Sequence, residues 1–406
     1  MPFQIALSGL NAASADLNTT ANNIANTATT GYKSSRTEFA ELFAVSPQGV
    51  SSLATGSGVR VSSVSQQFGQ GNVNFTQSNL DLAVSGSGFF TVSNGGALQY
   101  TRSGAFRTDA DGYVVNSEGQ HLQVFPPTAS GGFNTGGLTD LRLVTGESAP
   151  NATSAVQFVM NLPSDAVVPT TATFNPADPT SYTQATSMTV YDTLGAAHTA
   201  TTYYSKTATN GIWDTRLYID GTAVAPATQQ LTFSNTGTLT TPVTGTLAFG
   251  PYAPPTGAAP MNLTLDYNRA TQYGSNFGVN SITQDGYTTG RLTGINIDKT
   301  GIVLAQYTNG RSTALGQVAL ANFANQNGLQ QVADTNWVET SASGQALKGQ
   351  AGTSGFGLIQ SGALESSNVD ITAQLVNMIT AQRAFQANAQ MISTADQITQ
   401  TIINIR

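Results

Sequence analysis

The stretch "TANNIANTATTGYK", residues 20–33, decides how the chain is to be read. It follows an amphipathic N-terminal segment, holds four threonines and three asparagines, and carries no charge until Lys33. Upstream of it, Phe3, Leu10, Leu17 and Ile24 fall seven residues apart. Leu7, Ala21 and Ala28 take the companion positions, with Ser14 the one polar exception. That is the seam of a coiled coil. It predicts a helix from about residue 3 to 27, about 37 Å long at the usual rise per residue. Asp16 is its one charged side chain, so its outer face is not built for bulk water.

The other end mirrors it. In residues 367–406 Ser367 or Asn368 is the expected N-cap, and Asp370 suits the first turn and its dipole. Ile371, Leu375, Met378, Phe385, Ala389, Ile392, Ile398, Ile402 and Ile405 then form an apolar stripe. Its 4-3 spacing slips to 3-3 through Ala395. No Gly or Pro interrupts residues 370–406, which predicts a helix of roughly 50 Å. Two seam-bearing helices at opposite ends of one chain are best explained by pairing with each other. Most helix stability comes from packing, so each alone is marginal in water.

Composition narrows the function class. Among 406 residues only 9% are charged, against roughly a quarter in ordinary soluble domains. Such a surface repels copies of itself weakly and favours dense self-association. A net charge of −7 with scattered Lys and Arg argues against nucleic acid. No apolar run reaches 18 residues, so no membrane-spanning helix is expected. The segment "MPFQIALSGL" lacks the basic start of a secretory signal. Cysteine is absent, which removes disulfides and thiolate chemistry.

Residues 29–70 read as an extended linker rich in Ser, Gly and Gln with short strand pieces, to which "TEFAELFA" (37–44) adds a short helical turn. From residue 71 the pattern becomes β. Short apolar or alternating runs over 71–145 and 287–365 belong to one β-rich middle domain, with Phe89 and Phe90 in a core strand. Residues 146–286 hold most of the prolines and at least six short strands. This insert reads as a β-barrel or sandwich with Trp213, Phe233 and Leu265 in its core. The fold class is therefore multidomain: mainly β outer domains plus a helical coiled-coil domain from residues 1–28 and 366–406. A turn with Asp or Ser three residues before Gly recurs at Asp109, Asp192, Ser234 and Asp298. It matches a type I turn with Gly at its fourth position.

Catalytic chemistry is hard to place. The two histidines, His121 and His198, sit in no zinc-binding pattern. Asp109, Asp111 and Gly112 imitate only part of a calcium loop. No metal, cofactor or enzymatic activity is expected.

"NNIANTATTGYK" resembles the N-terminal signature of the bacterial flagellar axial proteins of rod and hook, and "SNVDITAQLVNMITAQRAFQANAQ" resembles their C-terminal signature. "LDLAVSGSGFFTV" (80–92), "YTRSGAFRTDADGYVVNSEG" (100–119), "LGQVALANFANQNGL" (315–329) and "SGALESSNVD" (361–370) resemble further stretches in the same order. The resemblance is closest on the hook side of the family. It implies a structural subunit of an extracellular, flexible, curved tube that passes torque from motor to filament. Phe3, Leu7, Leu10, Leu17, Ile24, Ile371, Leu375, Met378, Phe385, Ile392, Ile398 and Ile402 would form the assembly interface. Asn22, Asn23, Asn26, Gly31 and Tyr32 would form the turn where the inner helix stops. Gly31 can take a positive φ there, and Asn and Thr can satisfy freed backbone groups. The implied partners are many copies of the chain itself, rod and hook–filament junction proteins, a hook cap, and the flagellar type III export apparatus, with export needing no cleaved signal. A distal rod subunit is the alternative within the family, though its members lack so large an insert. A secreted β-rich protein that binds or cleaves carbohydrate is the alternative from another class.

Overall fold

A computed structural model describes residues 2–42, 56–143 and 146–404. Contacts divide the chain into two compact units. The first comprises Met1–Val144, Gly294–Gln306 and Ser312–Arg406; the second comprises Thr145–Thr293 and Tyr307–Arg311.

In the first unit, helix α1 spans Pro2–Ala25 and helix α2 spans Ile371–Asn404, and the two pack on each other. Asp370 caps α2, since its carboxylate accepts from the amides of Thr372 (2.8 Å) and Ala373 (3.2 Å). The cap expected at Ser367 or Asn368 therefore lies further along, because Asn368 is engaged elsewhere. After α1 the chain forms strand β1 (Ser35–Glu41), antiparallel to β2 (Val59–Gln66), and both lie against α1. Residues 37–41 are thus strand, not the expected helical turn. Their apolar spacing fits either period, and the Thr37 hydroxyl bonds Thr19 on α1 (3.0 Å), which fixes the strand face. Residues 43–55, including the end of that predicted turn, lie outside the described residues, as does Ile405.

The rest of this unit is a large, mostly antiparallel sheet crossed by the long strand Ser312–Asn322, which pairs with Phe89–Asn94, His121–Phe125 and Leu347–Gln350. Side chains alternate across it. Phe90 enters one core with Leu82, Leu122, Val124 and Leu320, while Phe89 enters another with Tyr100, Phe323 and Trp337. Two short ribbons, Leu82–Ser85 with Leu358–Ser361 and Val73–Phe75 with Ala363–Glu365, tie the early chain to the segment entering α2.

The second unit holds a six-stranded antiparallel sheet centred on Ala197–Lys206 and Ile212–Ile219. Its four-stranded sheet has one parallel pair, Ala155–Asn161 with Met261–Asp266. Both sheets contribute to one core containing Trp213, Phe233 and Leu265. Phe158 stacks on Tyr267 in that core, with ring centroids 5.0 Å apart.

The recurring turn is built alike at all four places. The side-chain oxygens of Asp109, Asp192, Ser234 and Asp298 each accept from the amides two and four residues on. Gly112, Gly195, Gly237 and Gly301 follow with positive φ. The first of these carboxylates is thus occupied by backbone donors.

Candidate assembly interface

The two helices run antiparallel along a narrow line. A Cβ on Gly9 would meet Asn388 Oδ1 at 2.6 Å, and Asn23 Nδ2 donates to Gln374 Oε1 at 3.2 Å. Both pairs of positions are fourteen residues apart, two heptads on each helix. Small residues make the close approach possible. The buried positions on α1 are Ala6, Ala12, Ala13, Thr20 and Asn23, and on α2 only Ala381 is buried among the described side chains.

The large apolar residues are not fully covered within one chain. Phe3, Leu7, Ile371, Leu375 and Ile398 are exposed. Leu10, Leu17, Ile24, Met378, Phe385 and Ile392 are half-buried. Ile402 belongs to α2, but its side chain lies outside the described ones. Sequence reasoning also missed Ile5, Val376, Ile379 and Met391, all exposed. Their signal was present: a helix apolar beyond one stripe has more than one face to cover. Fully covering one such side chain contributes about 1.5–3 kcal/mol.

The turn after α1 is satisfied by its own asparagines. The Asn23 side chain accepts from the Ser35 amide (2.8 Å) and donates to the Ser35 carbonyl (2.7 Å). Asn26 Nδ2 donates to the Asn22 carbonyl (2.9 Å), and the Tyr32 hydroxyl donates to Asn22 Oδ1 (2.9 Å). Gly31 has φ +71°, and a Cβ there would lie 2.4 Å from the Ser103 amide nitrogen. No other residue fits without moving that backbone.

Beside this turn sits a charged cluster whose members lie too far apart in the chain for any motif to join them. Lys33 Nζ lies 2.5 Å from Glu365 Oε1, and both side chains have zero exposure. Arg102 Nη1 lies 3.3 Å from Glu365 Oε2. Burial pushes the Lys33 ammonium below its usual range, Glu365 opposes that, and Arg102 adds to it. Among the described residues, no group of three or more His, Asp or Glu side chains could hold a metal.

Comparison with known proteins bears on each part of the chain. Family models match for flagella basal body rod protein (residues 3–33), the flagellar hook protein FlgE/F/G D1 domain (83–173), the flagellar basal body protein FlaE D2 domain (161–287) and the flagellar basal body rod FlgEFG protein C-terminal region (360–405). The chain is 38% identical to the flagellar hook protein FlgE of Escherichia coli strain K12, with 100% of each covered. It is 35% identical to that of Rhizobium meliloti strain 1021, covering 98% of this chain and 97% of the relative. Among solved structures, the Helicobacter pylori flagellar hook protein FlgE2 superimposes with a TM-score of 0.55 at 14% identity, over 72% of this chain and 100% of that one. That likeness speaks to the fold. The full-length identities settle the family: the chain belongs to the flagellar hook protein FlgE family, the self-assembling, non-enzymatic structural subunits of the extracellular bacterial flagellar hook.

Proposed function

We propose that this subunit builds a bendable tube, with α1 and α2 packing against neighbouring copies in its inner wall and the β units facing outward. The observation that carries this reading is the mismatch on the helices. The fully buried helix positions within one chain are Ala, Thr and Asn, while Phe3, Leu7, Leu375, Ile379 and Ile398 stay exposed. An apolar patch of that kind on a folded chain marks an interaction surface. Assembled copies would transmit torque through the helical wall. Contacts between outer β portions would exchange as the tube bends, which their low charge content favours. Residues 1–28 and 366–406 would form the wall, 29–70 the brace between neighbours, 71–145 with 287–365 the middle layer, and 146–286 the outermost layer. Further partners of such a subunit are rod and hook–filament junction proteins at the two ends, a hook cap during growth, and the flagellar type III export apparatus.

The test is Leu375→Asp and Ile398→Asp in the full chain. Both sites are about half exposed, so monomer stability should move by no more than about 0.5 kcal/mol. Tube formation, followed by sedimentation and electron microscopy, should be lost. Normal tubes from both variants would refute the reading.

A further inference from the structure

Four separate chain segments converge on one carboxylate. Glu365 Oε1 accepts from Lys33 Nζ (2.5 Å) and from the Gly71 amide (2.9 Å), and Oε2 accepts from Arg102 Nη1 (3.3 Å). The Glu365 carbonyl accepts from the Gly31 amide (2.8 Å), and Lys33 also donates to the Gly69 carbonyl (2.8 Å). Gly31 in turn lies against the Arg102–Ser103 backbone with no room for a Cβ. The turn after α1, the chain returning from β2, the end of strand Ala97–Thr101 and the segment entering α2 therefore meet at one point.

Both helices hang from that point by short connectors. α1 ends at Ala25, six residues before Gly31, and α2 begins at Ile371, six residues after Glu365. Asn368 links the connectors sideways. Its Oδ1 accepts from the Ser34 amide (2.8 Å), and its Nδ2 donates to the carbonyls of Gln67 (2.7 Å) and Gly69 (3.0 Å).

The charge balance is unusual for a stabilising feature. Two cations face one carboxylate, all three side chains are buried, and Arg102 Nε has no partner. A buried ion cluster is a poor source of stability, since apolar side chains of the same volume do as well or better. What it supplies is direction, because charge-assisted hydrogen bonds hold their geometry. We infer that Lys33, Glu365 and Arg102 are positioning residues: they form a pivot that fixes the angle at which both terminal helices leave the β body, and so the geometry of the tube. This rests on the reading that the helices form the tube wall.

The pivot has a built-in asymmetry that a test can use. Lys33→Met keeps an unbranched side chain only one atom shorter and leaves a balanced Arg102–Glu365 pair. Glu365→Gln leaves two buried cations around a neutral amide. Each variant is made in the full chain and expressed as the sole hook subunit of a motile cell. Glu365→Gln should cut the assembled population at least about tenfold, as when a buried pair loses one partner. Lys33→Met should give a monomer that melts like the parent, yet hooks of altered curvature or subunit twist by electron microscopy. If Lys33→Met fails to fold, Lys33→Arg serves instead. It keeps the charge but presents a planar head to Gly69 and Glu365, and the altered hook geometry is again expected. Hooks of parental curvature and twist from the folded Lys33 variant would overturn the inference, as would a Glu365→Gln chain that assembles like the parent. If Leu375→Asp and Ile398→Asp also assemble normally, the tube-wall reading has failed. If they do not, only the pivot has.

Discussion

The second unit and the terminal helices make opposite use of apolar residues. In the former, Trp213, Phe158, Tyr204, Leu265 and Tyr267 are almost wholly buried, and both sheets close over them. In the latter, Ala381 is the only buried side chain described on the 34-residue α2, while Ile371, Leu375, Val376, Ile379, Met391 and Ile398 face outward. One region completes its core within a single chain. The other leaves much of its apolar area exposed within a single chain, the area proposed above to meet other copies. A subunit that must add to a growing polymer needs both kinds: a part stable before assembly and a part that is satisfied only by it.

The comparison breaks most visibly at the core of the second unit. Trp213→Ala should cost about 3–5 kcal/mol there, read as an early transition in calorimetry or denaturant unfolding. The α1–α2 contact should be left intact. Loss of helix signal in the same transition would mean that the two regions are not independent.

A smaller effect comes from pH. His198 is buried between two carboxylates, with Nδ1 2.6 Å from Asp220 Oδ2 and Nε2 3.2 Å from Asp192 Oδ2, an arrangement that favours the doubly protonated ring. Burial alone would lower its pKa, but the bonds to Asp220 and Asp192 outweigh that and raise it. Burial would raise the Asp192 carboxyl, yet hydrogen bonds from Thr256, His198 and the amides of Ala196 and Leu194 hold it at about 2. Asp220 is likewise held below its usual range, with His198 and the Thr199 amide outweighing burial. A raised histidine stabilises fully below its unfolded pKa and loses that contribution as pH rises through the folded value. A depressed carboxylate stabilises above its unfolded pKa and loses that contribution as pH falls through the folded value. The clamp should therefore contribute most between about pH 4 and 6.5. Melting of the second unit should fall on either side of that window, and His198→Gln should flatten the profile. A parental profile in that variant would remove the clamp from the account.

The sequence made some of this legible and concealed the rest for physical reasons. Short β-like runs in the insert marked Trp213 as interior, and the turn signature with Asp or Ser three residues before Gly marked four hairpin corners, because these depend on neighbours in the chain. Heptad spacing marked both helices. It could not tell which residues touch within the chain: Gly9 looks like filler, yet a Cβ there would run into Asn388, so its absence lets α2 come close. The charged pivot joins residues 332 apart. Its one local sign was Lys33, the lone cation closing sixteen uncharged residues after Asp16. In "TEFAELFA" the helical and strand periods compete, and pairing with β2 decided between them.

The most direct test of the claim that the helices are completed by other copies is hydroxyl-radical footprinting of monomer and assembled tube, read by mass spectrometry. Phe3, Leu7, Leu375, Ile379 and Met391 should react in the monomer and lose most of that reactivity in the tube. Met160 and Met261, buried in the second unit at 1% and 3% exposure, should be unreactive in both. Equal labelling of the helix residues in monomer and tube would contradict the account.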